Sequence, residues 1–281
     1  MKSLIVKIYL LLLILSLSAS VIAKSGKAEK AGWLLGAQSY TFHQFTFVET
    51  LDRMQKLGLN YVEVYYGQKL GDGFSGTMNY KMDKITRQRV LKLAKSKGIR
   101  IVASGVVICE NNREWDQLFE FAKAMGIKTI TSEPALDQLD YVEKLADKFN
   151  IDVAIHNHPK PSAYWDPIIL MKALEGRSKH LGSCADVGHW NRMGIDPIEA
   201  LKKCEGRIKS LHFKDVDKAG ADSHDTIWGT GVCNVESMLK ELKRQNFKGL
   251  FSIEYEYHEK NPDPDMKECI KYFNQIVDRI L

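Results

Sequence analysis

Proline is scarce in this sequence, seven residues in 281, and twenty glycines are too few for a collagen-like or Pro/Gly low-complexity chain. Cysteine is scarcer still. Cys109, Cys184, Cys204, Cys233 and Cys269 are odd in number and no pair has CxxC spacing. They read as free, buried or half-buried thiols in a domain large enough to build its core without staples. Spacing alone leaves a single disulfide open. No block of five or more Lys or Arg occurs, and the formal net charge is only +5. Nucleic acid and anionic membrane surfaces are not the partners such a balance selects. Past the first two dozen residues no apolar run reaches membrane-spanning length. What remains is ordinary globular composition, 44% hydrophobic and 27% charged, too apolar to be disordered. The length allows one large domain or two small ones.

The start of the chain predicts a compartment. Lys2 and Lys7 precede an apolar core from Ile8 to Leu17, and Val21-Ile22-Ala23 fits the small-x-small cleavage pattern. This predicts a secretory signal peptide over residues 1–23, cut after about Ala23. The apolar core is too short to span a bilayer comfortably. Cys109 is the first cysteine, so no lipid-modified N-terminus is expected. The mature chain, residues 24–281, is expected to be periplasmic or secreted, without stable membrane insertion.

Eight short runs rich in β-branched residues recur: Leu34–Ser39, Tyr61–Tyr65, Arg100–Val107, Lys128–Ser132, Asp152–His156, Leu181–Ala185, Ile208–Leu211 and Leu250–Tyr255. Each is bounded by polar or Gly/Pro residues, as buried parallel strands are. Helical patterns lie between them. Trp115, Leu118, Phe119 and Ala122 keep i, i+3, i+4, i+7 spacing and stop at Gly126; Val48, Leu51, Met54 and Leu57 stop at Gly58. Asp196-Pro197 is an N-cap and first-turn pair opening Ile198–Cys204, and a last helix is expected over about Met266–Leu281. Eight alternations predict an α/β chain folded as a single (β/α)8 TIM barrel. An open doubly wound sheet would carry a glycine-rich turn after its first strand, where this chain has Tyr40-Thr41-Phe42-His43. Two long connections, Gly67–Lys84 and Asp215–Asn234, follow strand ends and are candidate lids.

Chemistry-bearing residues gather at successive strand ends: Glu133; His156-Asn157-His158; Asp186-Val187-Gly188-His189; His212-Phe213-Lys214-Asp215; Glu254, then Glu256. In a closed barrel those ends converge on one mouth. Mixed nitrogen and oxygen donors suit Zn, Mn, Co or Fe(II) better than Ca or Mg. Cys184 is two residues from Asp186 and reads as core filler. Tyr40, Phe42, Tyr65, Tyr66, Trp165, Trp190, Trp228 and Tyr255 lie near strand ends, where aromatic faces can pack on sugar rings or anchor loops.

On these residues the chain resembles the xylose isomerase-like TIM barrel superfamily, and within it the sugar phosphate isomerase/epimerase branch. The resemblance implies one divalent metal held by residues of strands five to eight, here Asp186, His212 and Glu254, with Zn, Mn or Co expected. It implies that His189, in the Asp-x-x-His spacing, contacts substrate. At the fifth strand the family carries Glu-x-His, whereas this chain has His156-Asn157-His158. Either His156 is the first ligand or Glu133 supplies the carboxylate from the neighbouring strand. His158 then takes a catalytic or substrate-binding place, or stands behind the ligands. Lys214 either meets a substrate oxygen or lies solvated at the rim, and Trp190 and Tyr255 are the substrate-binding aromatics.

The resemblance implies a sugar isomerase or epimerase that removes a proton beside a carbonyl and stabilises an enediolate. Glu133, His158, His189 and Glu254 are its candidate catalytic residues. Elimination from a keto-glycoside, the lyase or hydratase reading, starts with the same proton. The predicted export favours a non-phosphorylated sugar or keto-sugar. Gly229-Thr230-Gly231 is either a phosphate clamp or a plain turn. A related metal-dependent endonuclease needs more histidines on the second and third strands. A non-catalytic sugar-binding barrel is the reading of another class.

Overall fold

A computed structural model describes residues 26–281; the predicted signal peptide lies outside them. The apolar runs form β1 (Trp33–Gln38), β2 (Tyr61–Val64), β3 (Arg100–Val107), β4 (Thr129–Ser132), β5 (Asp152–His156), β6 (Leu181–Asp186), β7 (Ile208–Phe213) and β8 (Gly249–Ile253). All neighbours are parallel, and β8 closes on β1 with Leu250 opposite Leu34. The sheet is therefore a closed barrel, and the open-sheet alternative is excluded. The helices are α1 (Lys27–Lys30), α2 (Phe47–Leu57), α3 (Lys84–Ser96), α4 (Asn112–Met125), α5 (Leu139–Phe149), α6 (Pro167–Ala173), α7 (Val187–Arg192), α8 (Pro197–Lys203), α9 (Val235–Arg244) and α10 (Asp263–Ile280). None among the described residues is long and apolar enough to cross a membrane.

Local signals set the boundaries. The Thr46 hydroxyl accepts from the Glu49 N–H while the Glu49 carboxylate accepts from the Thr46 N–H, a capping box that starts α2. Gly58 and Gly126 end α2 and α4 at φ 73°, the left-handed conformation glycine adopts without strain. Asp196 caps α8 by accepting from the N–H groups of Ile198 and Glu199. The apolar face of α4 buries Trp115, Leu118, Phe119 and Ala122 against the barrel. Side chains the size of Leu118 and Phe119 each contribute about 1.5–3 kcal/mol by burial. The last helix begins three residues earlier than expected, because Pro264 is tolerated in a first turn. All five cysteines are buried and free.

The barrel interior is polar near its C-terminal mouth. Glu63, Ser104, Thr131, Ser210, His212 and Ser252 are fully buried there, where a barrel of this kind ordinarily holds Val, Ile and Leu. Both long connections are tied down. The Gln68 side chain donates to Phe45 O and the Thr50 hydroxyl, and Lys69 pairs with Thr77. In the connection after β7, the Asp215 carboxylate accepts from Val216, Gly229, Gly231 and Cys233 N–H groups at 2.9–3.0 Å. Both Gly229 and Gly231 N–H groups are thus engaged, so this turn is the plain turn and not a phosphate clamp.

Candidate metal centre and active site

Three strand ends and the residue after the eighth strand bring four donors together. His156 ends β5, Asp186 ends β6, His212 lies near the end of β7, and Glu254 follows β8. One donor atom from each lies within 4.8 Å of all the others. His156 Nε2 is 3.6 Å and His212 Nδ1 4.0 Å from Asp186 Oδ2, and His212 Nδ1 is 3.1 Å from Glu254 Oε2. His156 Nε2, Asp186 Oδ2 and His212 Nδ1 are buried without a hydrogen-bond partner. Unpartnered buried polar atoms are rare and costly, and these three lie together, with the Lys214 ammonium 3.2 Å from Asp186 Oδ2. Metal bonds of about 2.0–2.2 Å give ligand separations close to these. Two imidazoles and two carboxylates fit one divalent cation.

Three of the four donors are held from behind. His156 Nδ1 lies 3.0 Å from Glu133 Oε1, and His212 Nε2 lies 3.1 Å from Glu63 Oε2. Asp186 is gripped three ways. Its N–H donates to Asn157 Oδ1, its carbonyl accepts from Asn157 Nδ2, and its Oδ1 accepts the His189 N–H that opens α7. Only Oδ2 is left for the site. Lys214 is buried, with Nζ 3.2 Å from Asp186 Oδ2, 2.8 Å from Glu254 Oε2 and 2.6 Å from Glu256 Oε1.

The charges follow from this packing. Burial opposes ionisation of Asp186, but His189, Lys214 and His156 outweigh it and hold the carboxyl well below its usual range. His212 and Lys214 do the same for Glu254. Burial also opposes a charged His156, yet the Asp186 and Glu133 carboxylates on either edge of the ring push its pKa up to about 9. Cys184, Glu254 and Glu63 likewise overcome burial and raise His212. Burial prevails at His189, which is held well below its ordinary value. Lys214 stays charged because Asp186, Glu254 and Glu256 outweigh its burial.

Above the donors opens a cavity of about 430 Å³, lined by Tyr40, Tyr65, Tyr66, His158, His189, Glu254 and Glu256 among others. The His158 ring is about half exposed, and its Nδ1 lies 2.5 Å from Glu133 Oε1. The sequence-predicted residues divide here. His156, Asp186, His212 and Glu254 form the donor group, with His158 and His189 beside it. Glu133 stands outside that group. Its Oε1 serves His156 and His158, and its Oε2 accepts from the Ser162 hydroxyl at 2.7 Å. Lys214 is buried among the carboxylates, not solvated at the rim.

Trp190 and Tyr255 do not reach the cavity. Trp190 is fully buried in the hydrophobic core, because one step along α7 from His189 turns its side chain about 100° away. Tyr255 is buried, with its hydroxyl donating to Asp265 Oδ2 at 2.5 Å. Phe42 and Trp228 are core residues as well, whereas Tyr40, Tyr65 and Tyr66 do line the cavity. Glu63 had no role in the sequence reading. Its signal was a carboxylate in the middle of a four-residue buried strand, a position that requires a partner.

Fold and site together define a parallel (β/α)8 barrel with a mixed imidazole and carboxylate donor set at its C-terminal mouth. The chain belongs to the xylose isomerase-like TIM barrel family, whose model matches residues 51–276. It is 22% identical over 266 residues to an inosose isomerase of Halalkalibacterium halodurans, covering 82% of this chain and 91% of that protein. A crystal structure of an uncharacterized protein from Parabacteroides distasonis shares 41% identity at a TM-score of 0.72, covering 87% of this chain and 99% of the other. The fold of the IOLI protein, solved with a bound zinc atom, is similar at a TM-score of 0.69 and 17% identity, covering 88% of this chain and 99% of that one.

Proposed function

We propose that this protein is a divalent-metal-dependent isomerase or epimerase of a non-phosphorylated sugar or keto-sugar, working through an enediolate. One observation carries the reading: His156 Nε2, Asp186 Oδ2, His212 Nδ1 and Glu254 converge beneath a cavity that His158 and His189 also border. Zn, Mn or Co suits that donor set. When bound, such an ion polarises a substrate carbonyl, an effect worth several kcal/mol.

The chain's own residues supply the rest. Glu254 is ionised and borders the cavity, so it can take the proton beside a substrate carbonyl. His158 comes from a different strand, and Glu133 holds its Nδ1, leaving Nε2 for proton transfer to a substrate oxygen or carbon. His189 lines the cavity and is placed to hydrogen-bond a hydroxyl. The lining of tyrosines and carboxylates suits neutral hydroxyls better than a phosphate dianion, which like charge would repel. The relative named inosose isomerase supports the substrate class, since inosose is an unphosphorylated ring ketone. The predicted signal peptide supports action outside the cytoplasm on glycan-derived sugars.

The test is deuterium exchange. Metal-loaded protein incubated in heavy water with aldoses, ketoses and keto-glycosides is expected to place deuterium on the carbon beside the carbonyl. Release of water or an alcohol would assign the elimination reading. Ligand binding without exchange or turnover, in protein carrying its metal, would leave a sugar-binding barrel.

A further inference from the structure

We infer that Glu63 is a positioning residue that fixes which ring nitrogen of His212 faces the donor group; the inference rests on the metal reading above. Glu63 sits on β2 and reaches across the barrel interior to β7. Its Oε2 lies 3.1 Å from His212 Nε2 and accepts from the Ser252 hydroxyl of β8 at 2.7 Å. Both Glu63 and His212 are fully buried, so no bulk water can replace either contact.

The chemistry makes that contact directional. A neutral imidazole that binds a cation through one nitrogen carries its proton on the other. In a buried site that proton needs an acceptor. A carboxylate only accepts, so Glu63 admits the form of His212 protonated at Nε2 and refuses the reverse. Nδ1 is then the lone-pair nitrogen, and it is the atom found without a partner beside Asp186 and Glu254. His156 repeats the arrangement with its edges exchanged: Glu133 takes Nδ1, and Nε2 is left unpartnered. Two imidazoles thus present opposite nitrogens to one point, each selected by its own carboxylate. A Glu63 serving only to fill the barrel would leave the two His212 nitrogens equivalent.

Cobalt(II) titration of the metal-free protein tests this. Glu63→Gln preserves volume and removes the acceptor-only character. It is expected to weaken cobalt affinity about 10–100-fold and to change the visible cobalt absorption, with far-UV circular dichroism unchanged. Wild-type affinity and spectrum in Glu63→Gln would overturn the inference while leaving the metal reading intact. Should the variant fold poorly, long-range nitrogen–proton NMR of zinc-loaded wild type decides the point. A His212 proton on Nε2 is expected, and a proton on Nδ1 overturns the inference. A wild-type chain that takes up neither cobalt nor zinc overturns the metal reading, and this inference with it.

Discussion

Glu133 Oε1 and His156 Nδ1 meet at 3.0 Å, on the edge of the imidazole that faces away from Asp186. The resemblance implied a carboxylate ligand on the fifth strand. Here an imidazole occupies that place and a carboxylate from the fourth strand stands behind it. Such partners fix ring orientation and raise ligand basicity. Glu133→Gln is therefore expected to keep one metal per chain at saturation while weakening affinity about tenfold or more. Elemental analysis and chelator competition separate the two quantities. Loss of stoichiometric metal at saturation would make Glu133 a direct ligand.

The raised imidazole values set a pH dependence. His156 holds its proton up to about 9, and His212 is pushed up as well. A cation must displace both, so affinity falls as pH drops below about 9. Loading at neutral pH should release about two protons in a weakly buffered titration. The sign for the metal-free chain is opposite. A histidine with a raised folded pKa contributes stability that is complete below its unfolded value of 6.5 and lost as pH rises through about 9. The gap in melting temperature between loaded and metal-free protein should widen from pH 6.5 to 9. A constant gap would contradict the protonated imidazoles.

Asp186 has two separable jobs. Oδ1 caps α7 by accepting the His189 N–H at 2.7 Å, and Oδ2 faces the site. Asp186→Asn keeps an oxygen for the cap, whereas Asp186→Ala removes it at a cost of about 1 kcal/mol. Both variants, and His212→Ala, are expected to fold, to lose the metal and to lose turnover. Asp186→Asn should be the more stable of the Asp186 pair in denaturant titration. Stoichiometric metal with full activity in any of them would remove that residue from the donor set.

The barrel and the convergence of His156, Asp186, His212 and Glu254 were legible because strand ends are marked by composition and closure forces them together. Side-chain direction was less legible. Glu63 hid inside an apolar run, since a run of four residues does not show which side chains enter the barrel. Asp215 was read as one more polar residue at a strand end, yet it accepts four backbone N–H groups, and donors from a loop residue 18 positions away leave no periodic trace. The choice between Glu133 and His156 also needed coordinates, because either could reach the mouth and only ring orientation tells ligand from support.

Trp190 shows the same limit and gives a clear test. Its ring is fully buried beneath α7, so its role is packing and not sugar stacking. Trp190→Phe should leave KM unchanged and lower stability modestly. Trp190→Ala should cost about 3–5 kcal/mol. Chemical denaturation and steady-state kinetics check the two halves. A raised KM with unchanged stability would return Trp190 to the substrate site.

Asp215 carries the last prediction. Its carboxylate gathers the connection after β7 by accepting two N–H groups on each oxygen. Burial raises its pKa despite those four donors, so the charge sits there at a cost that the loop geometry offsets. In Asp215→Asn one oxygen becomes an amide donor facing two backbone donors. Two backbone N–H groups then lose their partner, at up to about 1–3 kcal/mol each where they are buried. The variant should unfold earlier in denaturant, and limited proteolysis should cut between residues 215 and 234 before any other connection. Metal content per folded chain should stay at one, because none of the four donor residues is bonded to Asp215. Loss of metal with a protease-resistant loop would mean that Asp215 acts on the site and not on the connection.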